Sequence, residues 1–350
     1  MRAFEKNIRR VEPYVPGEQP QNKVVKLNTN ENPYPPAPGV RRALDGLDTG
    51  DLRLYPDPAS TILVDELASF YGVDRDQVFV GVGSDDVLSM CFLTFFNSAK
   101  PILFPDITYS FYKVWADLYR IPYICPALDD DFRIVREDYY RENGGIIFPN
   151  PNAPTAVYEE LDFVEDIVSH NPDSIVIVDE AYIDFAGSSA MELIDRYDNL
   201  IVVQTFSKAR SMAGMRIGYA ISNPLLIRYL NDAKYSFNSY TMNRTSLVCG
   251  AEAVKDRAYF EETVGTIVET REWAKKRFRE LGFVFPESSA NFIFVRHPDY
   301  DAKALFEALR AAEIYVRHWD SERIGQYLRV TIGTREEMEQ LFAFLGEYMK

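Results

Sequence analysis

Between residues 75 and 222, short and almost unbroken apolar runs alternate with stretches of helical spacing, and this alternation constrains the fold more than any other feature. The runs are Val78-Phe79-Val80, Pro101-Ile102-Leu103-Phe104-Pro105, Gly145-Ile146-Ile147-Phe148, Ser174-Ile175-Val176-Ile177-Val178 and Asn199-Leu200-Ile201-Val202-Val203-Gln204. Each is short for a helix and lacks the polar alternation of a strand with one wet face, so each reads as a strand covered on both sides. Such strands, separated by helices, predict a mostly parallel sheet with helices on both of its faces. Arg216 to Ile221 reads as one more strand, pairing back alongside its predecessor.

The flanks differ in character. Residues 11 to 58 are irregular and proline-rich, but Tyr14, Tyr34 and Tyr55 suit an arm that packs on the body better than a disordered tail. Ser60 to Tyr71 has helical spacing, with Ser60 as its cap. Beyond Pro224 come a charge-laced helix from Asp256 to Leu281, strands at Asn291–Val295, Ile314–Arg317 and Tyr327–Thr331, and a helix from Ala302 to Ala312, together a second, smaller α+β unit. The expected division is an arm contributing to the small domain over 1–45, a large α/β domain over 46–245 and a small domain over 246–350.

Composition narrows the partners. A formal charge of −15 disfavours broad nucleic-acid contact, which needs a basic face, so any anionic ligand must be met by a local group of cations. Cys91, Cys125 and Cys249 are odd in number and show no metal-like spacing, and they read as free thiols in a reducing compartment. The first residues lack the apolar core of a signal peptide and no apolar run approaches membrane-spanning length, so the expectation is a cytoplasmic protein without membrane partners.

Ligands of open α/β sheets bind beyond the carboxyl ends of the strands. There the sequence places Lys208, with Thr205, Ser207 and Arg216 nearby. A desolvated lysine can attack a carbonyl as a free amine, and two hydroxyls with a guanidinium can hold a phosphate dianion. On their own, Lys208 and Arg216 read as ordinary surface charges beside a loop, and it is the rest of the chain that favours the site. Asp179 ends the strand over 174–178, where a carboxylate is costly unless a cation or a protonated ring nitrogen pairs with it. Gly81-Val82-Gly83-Ser84-Asp85-Asp86 has the strand, glycine turn, helix layout that aims free N–H groups at an anion, although it is neither a Walker loop nor a complete dinucleotide fingerprint. Tyr109 follows a strand and could stack on a planar ring or simply pack; Asn150 and Asn152 lie in a proline-rich turn at the same edge. Arg317 and Arg329 lie on or beside strands of the small unit and read there as salt-bridged surface arginines or as anion receptors.

In sequence order these pieces resemble the fold-type I pyridoxal-phosphate aminotransferases over essentially the whole chain, and most closely the branch acting on histidinol phosphate. The likeness rests on Leu27-Asn28-Thr29-Asn30-Glu31-Asn32-Pro33-Tyr34-Pro35, Leu54-Tyr55-Pro56-Asp57, Gly81-Val82-Gly83-Ser84-Asp85, Asp179-Glu180-Ala181-Tyr182-Ile183-Asp184-Phe185, Thr205-Phe206-Ser207-Lys208, Ala213-Gly214-Met215-Arg216-Ile217-Gly218 and Leu328-Arg329-Val330-Thr331-Ile332-Gly333-Thr334. Each is weak alone; their order makes them specific for fold and cofactor, less so for substrate.

The resemblance implies a mostly parallel seven-stranded sheet sandwiched by helices, a small α+β domain built from both chain ends, and pyridoxal 5'-phosphate as cofactor. It assigns Lys208 as the Schiff-base lysine, Asp179 as partner of the ring nitrogen, Tyr182 as partner of the ring hydroxyl and Tyr109 as the stacked aromatic. Gly83, Ser84, Asp85, Thr205, Ser207 and Arg216 become the phosphate cradle. It implies a homodimer in which Tyr55 reaches the phosphate of the other subunit's site. Arg329 would receive the anionic end of histidinol phosphate, glutamate or 2-oxoglutarate, with Tyr14, Asn30 and Arg317 beside it. Two positions depart from the family: Ala153 stands where relatives carry a cofactor-contacting asparagine, and Ala156 replaces a glycine, so Asn152 is expected to take over the contact. The rivals are an aromatic amino-acid aminotransferase or a decarboxylase of a phosphorylated amino acid on the same scaffold, and a non-catalytic regulator, which the acidic charge disfavours.

Overall fold

In the computed structural model, which describes residues 2–350, the strands run in chain order β1 (Val25–Lys26), β2 (Val78–Gly81), β3 (Ile102–Leu103), β4 (Tyr123–Ile124), β5 (Ile146–Pro149), β6 (Val176–Asp179), β7 (Leu200–Thr205), β8 (Gly218–Ser222), β9 (Phe292–Val295), β10 (Ile314–Tyr315), β11 (Arg317–His318) and β12 (Leu328–Thr331). Seven of them form the central sheet in the order β2-β8-β7-β6-β5-β3-β4. β7, β6, β5, β3 and β4 are mutually parallel, and β8 runs antiparallel to both of its neighbours. The expected seven-stranded, mostly parallel sheet is borne out, including the strand that pairs back after Lys208.

Successive residues of one strand feed opposite faces of the sheet. Val176, Val178, Leu200 and Val202 enter one core, and Ile177, Ile201 and Val203 enter another on the opposite face. Both faces are therefore dry, which is why these strands carry no polar alternation. A third core gathers Leu27, Phe292, Ile293, Leu328, Val330 and Phe342 around a three-stranded antiparallel sheet in the order β11-β12-β9. β1 pairs in parallel with β10, Val25 opposite Ile314, so both ends of the chain contribute to this part. The helix Arg244–Lys255 buries Leu247, Cys249, Ala253 and Val254 in the first core; the boundary expected at 245/246 falls inside it.

Register brings the candidate residues to one edge. Pro149 lies opposite Asp179, Asp179 opposite Val203, and Thr205 opposite Gly218, which in turn faces Gly81. The segments following β2, β5, β6 and β7, and the one preceding β8, thus all leave the sheet on the same side.

Three local expectations are corrected. Ser60 does not cap the helix Thr61–Tyr71: it sits at φ 54°, and the Asp57 carboxylate accepts from the N–H groups of Ala59 and Thr61 instead. The Pro101–Pro105 run pairs only at Ile102–Leu103, because prolines at both ends donate no ladder bond. Ile314–Arg317 is not one strand: β10 pairs with β1 and β11 with β12, and Val316 marks the change of partner.

Candidate active site

Asp179 is the last residue of β6 and is 4% exposed. Its carboxylate accepts from the Tyr112 hydroxyl at 2.7 Å and from the Ala181 N–H at 3.2 Å. No cation pairs with it among the described residues, and burial pushes its pKa up to about 6. A buried carboxylate with neutral donors and no counter-charge is an incomplete site, and a protonated ring nitrogen is the kind of group that completes it.

Lys208 follows β7 by three residues. Its amine donates to the Thr29 carbonyl at 3.0 Å and lies 5.7 Å from the centre of the Tyr182 ring, with no carboxylate within salt-bridge distance. Tyr182, three residues beyond Asp179, accepts at its hydroxyl from Asn30 Nδ2 at 2.9 Å. Asn30 is fixed by Thr331, whose hydroxyl accepts from the Asn30 N–H and donates to its side-chain oxygen. Two chain segments three hundred positions apart therefore hold the residue beside the amine.

Three segments meet where an anion is expected. The helix Ser84–Phe95 begins after Gly83, and its first N–H groups have no partner inside the helix. The Thr205 hydroxyl donates to the Ser207 hydroxyl at 3.0 Å and accepts from the Ser207 N–H at 3.1 Å. Arg216 bonds Asp85 at 3.3 Å and lies so close to Gly83 that a Cβ there would come within 2.6 Å of its guanidinium. Asp85 also accepts from the Tyr109 hydroxyl at 2.7 Å, which joins the stacking candidate to this end. Tyr109 in turn packs edge-on against Tyr112, the partner of Asp179, at 5.7 Å.

Gly218 makes this arrangement possible. A Cβ at that position would lie 2.2 Å from the Ser84 nitrogen and 2.3 Å from the Gly83 carbonyl carbon, both backbone atoms that cannot step aside. Gly218→Ala should therefore push the helix start off the sheet edge, weakening cofactor binding and costing about 1–3 kcal/mol of stability. Cofactor titration and thermal unfolding measure the two effects.

Arg329 on β12 donates to the Asn28 carbonyl at 2.9 Å, and its Nε is buried without a partner. Burial lowers the pKa of Arg329, and the charged or ionisable side chains that act on it are Tyr182, Arg317, Tyr14 and Tyr109. Arg317 donates to the carbonyls of Val15 at 3.3 Å and Pro16 at 3.5 Å, anchoring the arm; Tyr14 stacks on Phe111 at 4.3 Å. Asn152 is buried, accepts from Thr108 and donates to Ile107 and Thr155, so it braces the segment leading to Tyr109. Tyr55 stands apart, 79% exposed and stacked on Tyr240 at 4.6 Å.

Sequence reasoning missed Tyr112 and Glu180. Tyr112 lies one helical turn after Tyr109, a spacing that could have paired them. Glu180 is fully buried, accepting from Ser189, the Ala190 N–H and Gln204, and so ties the end of β6 to β7; burial raises its pKa to about 7. A second acid directly after Asp179 was the available signal.

A flat ring carrying a phosphate at one end and a protonatable nitrogen at the other matches this donor set: cradle, amine, hydroxyl and lone buried carboxylate. Fold and site define a pyridoxal-phosphate-dependent enzyme, and the chain belongs to the class I and II aminotransferases, whose family model matches residues 22–345. Curated relatives identify the branch. The chain is 48% identical to the histidinol-phosphate aminotransferase of Lactococcus lactis subsp. cremoris strain MG1363, over 99% of this chain and 98% of that one. It is 50% identical to histidinol-phosphate aminotransferase 1 of Pseudomonas fluorescens strain Pf-5, over 97% of each. Among solved structures, the Sinorhizobium meliloti histidinol-phosphate aminotransferase in complex with pyridoxal-5'-phosphate superposes with a TM-score of 0.84 at 24% identity, covering 92% of this chain and 90% of that one. The L-threonine-O-3-phosphate decarboxylase of Porphyromonas gingivalis gives 0.79 at 18% identity, covering 92% and 98%. Those likenesses report the fold, which transaminases and decarboxylases share; the close relatives in sequence are transaminases.

Proposed function

We propose that the chain transfers an amino group between L-histidinol phosphate and 2-oxoglutarate, a step of histidine biosynthesis, in two half-reactions that use one anion site in turn. The observation that carries this reading is Arg329: a half-buried arginine whose Nε is buried without a partner and whose charge interacts with Tyr182, the residue beside the Lys208 amine. A planar fork binds a phosphate monoester or a carboxylate equally well, so one arginine serves both substrates.

When bound, pyridoxal phosphate supplies an aldehyde for the substrate amine and a cationic ring that draws electrons from the substrate Cα–H bond. The residues of this chain do the rest. Asp179 would hold the proton on the ring nitrogen, and the Lys208 amine would take the proton from the Cα of the amino donor in one half-reaction and deliver a proton to the Cα of the acceptor in the other. Tyr182 orients the ring hydroxyl, and Tyr109 covers a face of the ring. Gly83, Ser84, Asp85, Thr205, Ser207 and Arg216 hold the phosphate, Asp85 through its backbone N–H, since its carboxylate already serves Arg216 and Tyr109. Asn152 stands in for the asparagine that Ala153 lacks. Arg317, Tyr14 and Asn30 line the substrate side.

The exposed Tyr55 fits a homodimer in which it completes the phosphate site of the other subunit. No helix among the described residues is long and apolar enough to cross a membrane, and a cytoplasmic enzyme suits that. The arm with part of the small domain over 1–45, a large domain over 46–245 and a small domain over 246–350 remain the proposed division.

Initial rates with histidinol phosphate, phenylalanine and threonine phosphate, each with 2-oxoglutarate, test the reading. The kcat/KM on histidinol phosphate should exceed that on phenylalanine by at least about a hundredfold, because a site built to hydrogen-bond an imidazole rejects a phenyl ring, which cannot make those bonds. Equal values would make the enzyme an aromatic aminotransferase, and carbon dioxide released from threonine phosphate would make it a decarboxylase.

A further inference from the structure

Arg317 and Arg329 lie directly opposite one another across β11 and β12. Like charges so placed repel, and the neighbouring charge of Arg317 adds to burial in lowering the pKa of Arg329. The two arginines do not share work evenly. The bonds of Arg317 go to the arm carbonyls at Val15 and Pro16, whereas Arg329 keeps its Nε unspent.

One side chain touches both. The Trp319 ring centre lies 5.3 Å from the Arg329 Cζ and 5.5 Å from the Arg317 Cζ, and Phe292 packs against Arg329 at a further 5.3 Å. Trp319 is partly buried against the first core and meets Phe294 edge-on at 6.4 Å, so its indole is held in place rather than free to swing. The face of an aromatic ring is electron-rich and attracts a guanidinium, most strongly for tryptophan. With the Arg329 Cζ over the faces of two rings, an anion must approach from the sides the rings leave open, and a guanidinium's N–H edge is where two parallel bonds form.

Building on the reading that Arg329 receives the anionic end of the substrate, we propose that Trp319 is a positioning residue that sets the strength of this anion site, holding Arg329 edge-on to the phosphate or carboxylate and offsetting its repulsion with Arg317. The contacts of Trp319 are with Arg317, Arg329 and Phe294, so its effect would reach the substrate through Arg329 and fall on anion binding.

The test compares wild type, Trp319→Leu and Trp319→Phe in the cofactor-loaded enzyme. Two quantities are measured: the kcat and KM for histidinol phosphate, and the competitive inhibition constant of inorganic phosphate. Trp319→Leu should raise both KM and the phosphate inhibition constant about tenfold, with most of the loss in KM, while the visible absorption of the cofactor stays in place. Trp319→Phe, which keeps a ring face, should recover to within about threefold of wild type. Should the leucine variant fail to fold, Trp319→Met, whose unbranched chain fills irregular gaps, gives the same comparison. Wild-type constants in the leucine or methionine variant overturn the proposal, as does a phenylalanine variant no better than leucine. Arg329→Ala separates this outcome from the underlying reading: if that variant keeps the wild-type KM for histidinol phosphate, Arg329 is not the anion receptor, whatever Trp319 does.

Discussion

Lys208→Ala protein should be inert, with turnover at least about a thousandfold below wild type, because the variant lacks both the amine that holds the cofactor and the base at the substrate Cα. It should also lose the visible absorption of amine-linked cofactor, and borohydride should no longer fix cofactor to the chain. The geometry makes this a clean experiment. The amine makes a single hydrogen bond among the described residues, to the Thr29 carbonyl, and no ion pair, so deleting it strands no buried charge. Stability should therefore change by no more than about 1 kcal/mol. A variant that keeps both the absorption and substantial turnover would show that another group holds the cofactor.

The second large effect belongs to Asp179→Asn, and it should split activity from stability. With the carboxylate gone, nothing buried holds the ring nitrogen protonated, and kcat should fall about 10²–10³-fold, the usual scale for removing one well-placed electrostatic partner. The cofactor-free protein should respond the other way. In the folded state Asp179 ionises at about 6, because burial without a counter-charge penalises its anion. In the unfolded chain an aspartate ionises near about 3.9. Below that value both states carry the proton and the residue has no effect. Between the two values the unfolded chain has ionised while the folded one still holds its proton, so stability falls as pH rises. Above the folded value the full penalty applies, about 2–3 kcal/mol for this displacement. Asparagine escapes it: its amide can accept from Ala181 and donate to Tyr112. Cofactor-free Asp179→Asn should therefore melt higher than wild type at pH 8 and match it near pH 4. Glu180 and Asp184, raised to about 7 and about 6, add a background shared by both proteins. Saturating cofactor should reverse the order at pH 8, since the ring cation then stabilises the carboxylate. A variant that melts lower than wild type at pH 8 without cofactor would mean that a counter-charge for Asp179 had gone unrecognised.

How much of this was legible beforehand follows from where the information lies. β6 and β7 were visible because strands buried on both faces admit no polar alternation, and their carboxyl ends located Asp179 and Lys208 without coordinates. Partner choice was not visible. The apolar pattern of Ile314–Arg317 is the same whether one strand or two lie there, and only the paths of β1 and β12 split it. The cap at Ser60 failed for a related reason: both Asp57 and Ser60 offer an accepting oxygen before Thr61, and backbone geometry chose Asp57. Among the site residues, those on strand ends and in the lysine loop could be placed from local sequence. Tyr112 reaches Asp179 across the fold, and only its spacing from Tyr109 hints at that contact.

The parallel pairing of Val25–Lys26 with Ile314–Tyr315, and the bonds from Thr331 to Asn30, set a schedule for how this protein is made. The central sheet can assemble once residues up to about 222 have left the ribosome, yet the segment that presents Thr29 and Asn30 to Lys208 and Tyr182 must wait, undocked, for its partners at Ile314–Tyr315 and Thr331 to emerge. A ribosome stalled before residue 314 would carry a chain with its sheet formed and its catalytic floor unlaid.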